Sequence, residues 1–247
     1  NTKIISMKNI IIITFSILFS HFTFSQPLTK DANTLLLLNF DNNLKGADGE
    51  VPIQSQNITY QDGVHGSSLY INDNTTLRFD TIKNLNTSQG SLEFWLRPER
   101  DGVALGMFED NGGLGVDVGP TTVMHMNLGV EGLTRSVFGD NVFYLNEWYH
   151  LAFTWDHDAL KLYQNGRLIS STKVGYILPR VKLANSNIGS DYRGTLQLKG
   201  RIDEFRISDR VRTETEIFET YLKGKNIKLD RIFLSNSDPV DLYKTWK

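Results

Sequence analysis

Two aspartates, Asp41 and Asp203, stand where a chain of short β-strands could use their charge. Asp203 lies in the segment Ile202–Ile207 and by alternation shares a side with Phe205 and Ile207, so we expect its carboxylate to face the apolar interior. A buried carboxylate without a partner is costly and is usually neutralised by ion pairing or by a metal ion. Asp41 closes the first apolar run, LLLLNF, and places a second acidic group at a strand end.

A simpler interpretation of the two aspartates needs no metal. Asp41 would cap its own turn, and Asp203 would pair with a neighbouring arginine, either Arg201 or Arg206. The residue types alone leave both interpretations open.

Patterns for other kinds of chemistry are missing from the sequence. There is no G-x-S-x-G segment, and the five histidines show neither H-E-x-x-H nor paired metal-ligand spacing. The absence of cysteine excludes a disulfide framework and a thiolate metal site. A formal net charge of −2 gives no electrostatic reason to expect nucleic acid or an anionic membrane as a partner.

The segment Asn146–Ser171 predicts the strands that organise the rest of the chain. Alternation of apolar side chains up to Trp155 indicates one strand, and a polar break then precedes a second strand. Asn165-Gly166 supplies the two positive-φ residues of a tight hairpin turn, after which Arg167 begins the returning strand. The pattern is typical of an antiparallel meander with one buried face.

Many further short strands, separated by Gly and Asp clusters, precede and follow this meander. A helix appears only late, where Thr213 and Glu216 form a capping box and Gly224 follows an apolar stripe. A chain of 247 residues with this pattern suits a single two-sheet antiparallel sandwich that has one short C-terminal helix.

The N-terminal residues have the pattern of an export signal. Met7-Lys8-Asn9 provides a charged start, Ile10–Phe19 is a nearly continuous apolar run, and Thr23–Ser25 places small residues at a cleavage site. We therefore expect residues 1–25 to be upstream residues and a signal peptide. The mature chain would begin near Gln26, have no membrane span, and be secreted, extracellular or periplasmic, with attachment to the cell surface possible. The alternative is an uncleaved membrane anchor.

An ordered set of segments resembles the laminin-G-like, concanavalin A-like jelly-roll domain of secreted bacterial proteins. The segments are LLLLNFD, DGVHGSSLYI, GSLEFWLRP, EWYHLAFTWD, LKLYQNGRLI, NIGSDYRG and GRIDEFRISDRVRTETEI. Their order and spacing match from about Asn33 to Gly224. The resemblance implies an all-β jelly-roll sandwich over residues 26–224, with 225–247 as a C-terminal extension or the start of a further segment.

The resemblance also implies a use for the two aspartates. In related domains the first strand and the last long strand pair antiparallel, which brings Asp41 and Asp203 to the same end of a sheet. Such domains often hold a structural calcium ion there, and the carbonyl of Gly66, or of a neighbour in Asp62–Gly66, would add a ligand. Carboxylate and carbonyl oxygens are the ligands that Ca²⁺ prefers.

The resemblance suggests glycan binding, because lectins, adhesion modules and glycosidases share this fold. Sugar faces stack on aromatic rings, and the candidate platforms are Trp95, Trp148, Tyr144 and Tyr192. The alternative for each of them is packing in the sandwich core or at a sheet edge.

The glycosidases of this fold carry an E-x-D-x-x-E motif on one strand, and this chain lacks it. The nearest approach is Glu99-Arg100-Asp101, and Ala104 stands where the second glutamate belongs. We therefore expect an exported module that binds a polysaccharide or a cell-surface glycan and contains a structural calcium. The alternatives are a polysaccharide-degrading hydrolase or its accessory module, and a non-catalytic adhesion domain.

Overall fold

The structure is a computed structural model that describes residues 26–109, 112–118, 124–130, 133–140, 143–180 and 185–226. The predicted signal peptide, and the C-terminal extension beyond residue 226, lie outside the described residues. No helix in the described ranges is long and apolar enough to cross a membrane.

Over these ranges the chain forms fifteen strands and one helix, which confirms the predicted all-β two-sheet sandwich. The strands are β1 Thr34–Leu38, β2 Gln54–Gln56, β3 Thr59–Asp62, β4 Ser67–Ile71, β5 Thr76–Phe79, β6 Gly90–Arg100, β7 Gly102–Glu109, β8 Gly112–Val118, β9 Met124–Val130, β10 Leu133–Gly139, β11 Tyr149–Trp155, β12 Ala159–Gln164, β13 Arg167–Lys173, β14 Ser186–Ile188 and β15 Lys199–Ser208. The helix, α1, spans Glu214–Gly224.

The strands form two antiparallel sheets that face each other. An eight-stranded sheet has the order β13-β12-β11-β6-β15-β4-β3, with β1 paired to β15, and a seven-stranded sheet has the order β10-β9-β8-β7-β14-β5-β2. The predicted meander is β11-β12-β13, and its hairpin turn has Asn165 at φ 52° and Gly166 at φ 77°, as expected.

The hydrophobic core fills the space between the two sheets. From the eight-stranded sheet, Phe94 stacks on Phe153 and Phe205 with ring centroids 6.0 Å and 5.8 Å apart. From the seven-stranded sheet, Val116 and Met126 belong to the same buried cluster. Alternation along each strand therefore sends one set of side chains inward and leaves the outer face of each sheet to be covered or exposed.

Helix α1 covers the outer face of the eight-stranded sheet. It begins at the predicted capping box, in which Thr213 accepts from the Glu216 backbone N–H and the Glu216 side chain accepts from the Thr213 N–H. Ile217 packs on Ala152 and Tyr163 of the sheet. As a result β11 is buried on both of its faces.

A buried ion network lies on this covered face. Glu93, fully buried, accepts from Arg206 Nη2 at 2.6 Å and Nε at 3.1 Å, and Arg212 Nε is 3.2 Å from the same Glu93 oxygen. Arg206 Nη2 also lies 3.4 Å from Thr220 Oγ1 of the helix. The network thus links β6, β15 and α1, and each charge depends on the others for its solvation.

His150 is buried beside this network without a hydrogen bond. Its Nε2 lies 3.8 Å from Glu93 Oε1, and neither ring nitrogen has a hydrogen-bond partner. Burial lowers the pKa of His150 to about 4, an effect that outweighs the opposing attraction of Glu93.

We predict that Glu93→Ala strongly destabilises the fold. The substitution leaves the Arg206 guanidinium group buried without a carboxylate and Arg212 with Asp31 as its remaining partner, which should cost about 3–5 kcal/mol in the free energy of unfolding. The measurement is urea unfolding followed by circular dichroism.

Glu214→Ala is the matched control, because it removes an exposed glutamate 3.6 Å from Lys161 and should change stability by no more than about 0.5 kcal/mol. Equal effects of the two substitutions would contradict the proposed role of the network.

A second prediction concerns the pH dependence of stability. His150 has a lower pKa in the folded than in the unfolded chain, so its stabilising contribution is complete above about pH 6.5 and is lost as the pH falls toward about 4. His150→Gln should therefore lose less stability than the unsubstituted protein between pH 6.5 and 4.5, measured by urea unfolding. Parallel curves for the two proteins would show that His150 is not the titrating group.

Candidate functional site

Asp41 and Asp203 meet at one end of the eight-stranded sheet. β1 pairs antiparallel with β15, as expected, with Leu38 opposite Phe205. Both carboxylates accept hydrogen bonds from a single turn, Gly63–Ser67, which precedes β4. The pairing and the turn together bring two acidic groups from distant parts of the chain to one place.

The Asp203 carboxylate is fully buried and is held by backbone N–H groups alone. Its Oδ2 accepts from Val64 at 2.8 Å and from His65 at 3.2 Å, and its Oδ1 accepts from Glu204 at 2.8 Å. Burial raises the pKa of Asp203 to about 8, because three neutral donors do not compensate for the lost hydration.

Asp41 meets the other end of the same turn. Its Oδ1 accepts from the Ser67 N–H at 2.8 Å. Gly66 has φ 55°, and a Cβ at this position would overlap Asp41 Oδ1, so the close approach requires glycine. The Gly66 carbonyl accepts from the Gly63 N–H at 3.1 Å, which closes the turn. The predicted trio of Asp41, Asp203 and Gly66 therefore lies together.

The side of the strand predicted for Asp203 is wrong. Asp203 lies opposite Trp95 in the register of β15 and β6, whereas Ile202 and Phe205 belong to the core between the sheets. The reason is a bulge at Glu204, whose φ of 51° adds one residue to the alternation. Asp203 consequently lies on the outer face, buried by the Gly63–Ser67 turn rather than by the core.

Neither arginine that could have neutralised Asp203 does so. Arg206 pairs with Glu93, and Arg201 Nη1 donates to the Asp62 carbonyl at 3.1 Å. Within the described ranges no lysine or arginine forms an ion pair with Asp41 or Asp203. Two carboxylates beside turn carbonyls are the residues that could hold a cation here.

Glu204 is a third carboxylate at this end of the sheet, and the sequence analysis missed it. It accepts from the Leu28 N–H and from Asn39 Nδ2, the latter at 2.9 Å and 3.1 Å to its two oxygens. Burial raises the pKa of Glu204 to about 7. Its orientation toward Leu28 and Asn39 depends on the bulge, and the available signal in the sequence was its place next to Asp203.

Trp95 is not a sugar platform, contrary to the sequence analysis. It lies on the outer face of the eight-stranded sheet, as expected, but helix α1 covers it. Its ring is 1% exposed, stacks on Tyr221 at 6.0 Å, and would overlap a Cβ at Gly224. A ring packed under a helix has no face to offer a ligand.

The other predicted aromatics lie on two different loops. Tyr144, 68% exposed, and Trp148, half-buried, flank a turn at Asn146, whose N–H donates to the Pro98 carbonyl of β6. Tyr192, 40% exposed, belongs to the turn between β14 and β15. Each is accessible, and no strand register joins the two loops.

A surface that the sequence analysis did not identify is the outer face of the seven-stranded sheet, here called the open face. One register row crosses all seven strands and contains polar residues and glycines: Gln54, Arg78, Asn187, Gly106, Gly115, Asn127 and Ser136. The neighbouring inward positions, such as Phe79, Val116, Met126 and Val137, are all core residues. Alternation therefore separates a row of polar residues and glycines from predominantly apolar inward positions.

An aromatic pair stands in the adjacent row of the open face. Asp117, His125 and Phe138 lie opposite one another on β8, β9 and β10. The His125 and Phe138 rings are parallel within 5°, with centroids 4.2 Å apart, and His125 Nδ1 is 3.0 Å from Asp117 Oδ2. Phe138 remains 55% exposed. The alternation of Met124, Met126 and Leu128 could have indicated that His125 faces outward, but not that three strands align these side chains.

A further acidic group lies apart from both surfaces. Asp156, His157 and Asp158, in the break between β11 and β12, present three ligand atoms within 4.8 Å of one another. Asp156 Oδ1 accepts from the N–H groups of Asp158 and Ala159, at 2.8 Å and 3.0 Å. These bonds account for the group as an ordinary turn.

Comparison with solved structures shows where this architecture recurs. Domain 4 of AbnA, an extracellular arabinanase of Geobacillus stearothermophilus solved with arabinotriose, has a TM-score of 0.65 at 22% identity, over 78% of this chain and all of that one. The binding domain of Paraclostridial Mosquitocidal Protein 1 has a TM-score of 0.64 at 17% identity, over 76% of this chain and 52% of that one. The botulinum neurotoxin serotype G binding domain has a TM-score of 0.62 at 18% identity, over 76% of this chain and 50% of that one.

At these identities the likeness concerns the fold, and among curated proteins no sequence matches this chain. A family model described as the concanavalin A-like lectin/glucanases superfamily matches residues 58–218, which contain β3 to β15 and the start of α1. The chain therefore belongs to the concanavalin A-like lectin/glucanase superfamily, as its resemblance to laminin-G-like jelly rolls predicted.

Proposed function

We propose that this protein binds carbohydrate on the open face of its seven-stranded sheet. The observation that carries the proposal is the row of Asp117, His125 and Phe138, in which the half-exposed Phe138 ring stacks on His125 and His125 in turn contacts the Asp117 carboxylate. An aromatic face beside hydrogen-bonding groups is the combination that sugars require, because a sugar ring has apolar C–H faces and a rim of hydroxyls.

The adjoining polar row supplies the remaining contacts. Gly115 has no side chain, and the Asn127 amide of β9 lies against it, with Nδ2 2.9 Å from the position that a Cβ on Gly115 would occupy, so the floor next to the aromatic pair offers an amide for hydroxyl groups. Strands lie about 4.8 Å apart, so the four strands from β7 to β10 give a floor about 14 Å wide. This is a shallow surface suited to a chain of sugars rather than an enclosed pocket.

The comparisons support the class of ligand without naming it. The arabinanase domain was solved with arabinotriose, and a structure related to botulinum neurotoxin type C, with a TM-score of 0.61 at 14% identity, concerns cell entry through two ganglioside molecules. Both of these proteins share this fold, one in complex with arabinotriose and the other in interaction with gangliosides. The charged start and apolar run of residues 7–19 support export of the protein. An exported protein would meet polysaccharides and cell-surface glycans outside the cytoplasm.

We also propose that Asp41 and Asp203 hold a calcium ion together with a carbonyl of the Gly63–Gly66 turn. The support is the buried Asp203 carboxylate, which has no basic partner in the described ranges, and the close approach that Gly66 permits to Asp41. A bound calcium ion would supply the positive charge that burial otherwise makes costly. Its role is structural, since it would fasten the end of β1 to β15 and to the turn.

We predict that Phe138→Ala weakens glycan binding about tenfold. The substitution removes the stacking surface and leaves the core, which Phe138 does not enter, unchanged. Screening the protein on a glycan array identifies a ligand, and isothermal titration then measures its affinity, with hydrolysis assayed in the same samples.

Tyr144→Ala is the matched control. It removes an exposed ring that lies on the loop before β11, away from the open face, and should leave the affinity unchanged. If Tyr144→Ala abolishes binding while Phe138→Ala does not, the loop before β11 is the site and the open face is rejected. Turnover of the bound glycan would instead support a hydrolase.

For the calcium site, we predict that a saturating concentration of Ca²⁺ raises the melting temperature by about 5–10 °C relative to chelator, because a ligand at a hundred times its dissociation constant adds about 2.7 kcal/mol. Asp203→Asn should abolish the difference. Asp158→Asn is the control, because it alters the exposed Asp156–Asp158 group and should preserve the shift. A shift that survives Asp203→Asn and disappears in Asp158→Asn would assign the ion to the other group.

A further inference from the structure

Two arginines lie at the turn Asp191–Gly194 on the open face: Arg193 belongs to the turn, and Arg78 of β5 lies beside Gly194. We propose that this pair is an anion-binding subsite for a glycan that carries carboxylate or sulfate groups. The inference rests on the proposed function, because it names the ligand class of the same face.

The turn is fixed to the middle of the seven-stranded sheet. A Cβ at Gly106 of β7 would lie 2.6 Å from the Tyr192 backbone nitrogen, so the turn approaches the sheet as closely as glycine allows. Asn187 Nδ2, on β14, donates to the Asp191 carbonyl at 2.6 Å. The Asp191 carboxylate accepts from the Thr195 N–H at 2.6 Å, which closes the turn. Side chains carried by this turn are therefore held at a defined position above the polar row.

The two guanidinium groups approach the turn from different elements. Arg193 lies over the Tyr192 ring, with its Cζ 5.0 Å from the ring centroid. Arg78 belongs to the polar row on β5, and its Nη2 is 3.9 Å from the position that a Cβ on Gly194 would occupy. Its Nη1 donates to Gln54 Oε1 at 3.0 Å, which orients the group. The turn thus carries one cation over an aromatic ring, and the strand places a second cation beside the end of the same turn.

These cations lack the carboxylate partners that other arginines of the protein have. Arg206, Arg210 and Arg212 each form ion pairs with buried or half-buried acids, whereas within the described ranges neither Arg78 nor Arg193 lies within 4.0 Å of a carboxylate oxygen. The carboxylate of the neighbouring Asp191 accepts three hydrogen bonds from Thr195 and Leu196 rather than pairing with either arginine. The local charge of the site is therefore positive although the chain carries a net charge of −2.

The chemistry of the pair selects the ligand. A guanidinium group presents a planar fork of donors that matches the paired oxygens of a carboxylate, and tetrahedral oxyanions bind it in the same way. Tyr192 adds an exposed ring on which a sugar could stack beside its charged substituent. Uronic acids and sulfate esters share these features, so the subsite is suited to an acidic polysaccharide.

The test compares charged polymers with their neutral counterparts. The probes are polygalacturonate with its methyl ester, and dextran sulfate with unmodified dextran, titrated against the purified protein at about 50 and 300 mM NaCl. We expect at least one charged polymer to bind about tenfold more tightly than its neutral counterpart at low salt, and to lose most of that advantage at high salt. The pair of polymers that shows the preference tells carboxylate from sulfate.

Paired substitutions locate the effect. Replacing both residues, Arg78→Gln with Arg193→Gln, should lower the affinity for the charged polymer about tenfold and leave the affinity for its neutral counterpart unchanged. Arg180→Gln is the control for loss of positive charge, because Arg180 is an exposed arginine in the loop before β14. Melting curves of all variants check that the fold is retained.

Three outcomes would overturn the inference. Equal affinity for charged and neutral polymers would reject an anionic ligand, and a preference that persists in the double substitution would place the anion elsewhere. Binding of neutral polymers alone, sensitive to Phe138→Ala, would reject the subsite and keep the proposed function. Absence of binding to every polymer and every array glycan would reject both.

Discussion

The bulge at Glu204 is the local feature on which the arrangement of this protein most depends. β15 pairs with β1, β4 and β6, and a single extra residue at positive φ in its middle resets the alternation of the strand. Ile202 and Phe205 both enter the core, and Asp203 and Glu204 are directed to the end where the Gly63–Ser67 turn and the N-terminal segment meet. Without the bulge, either the apolar residues before it or those after it would face away from the core.

The two outer faces of the sandwich differ in how far they are covered. The eight-stranded sheet buries the middle of its outer face beneath α1, with an ion network whose charges depend on one another and a histidine held neutral by burial. The seven-stranded sheet carries a polar row, glycines and one stacked pair of rings outward. The covered face stabilises the fold, and the open face remains available for recognition.

Membership in the concanavalin A-like superfamily sets the architecture and leaves the ligand to individual side chains. The structural neighbours include a domain solved with arabinotriose and the binding domains of a mosquitocidal protein and a botulinum neurotoxin, all at identities of 22% or below. At such distances no residue role transfers from one protein to another. The positions that matter for recognition in this chain therefore have to be inferred from its own geometry, as in the proposal for the arginines at the Asp191–Gly194 turn.

The sequence by itself determined the features that depend on neighbours along the chain. Alternation, the Asn165-Gly166 turn and the Thr213 capping box predicted the sandwich, the meander and the start of α1, because each is a pattern of local backbone preference. The ordered motifs also predicted that Asp41, Gly66 and Asp203 come together.

Only the tertiary structure decided which side of a strand met solvent. Trp95 reads as an outward residue and is buried, because a helix far along the chain packs on it, and Asp203 changes side because one residue adopts a positive φ. Asp117, His125 and Phe138 align only when three strands adopt one register. Coverage by distant elements and register between strands are properties of long-range packing, and single-strand alternation contains no information about either.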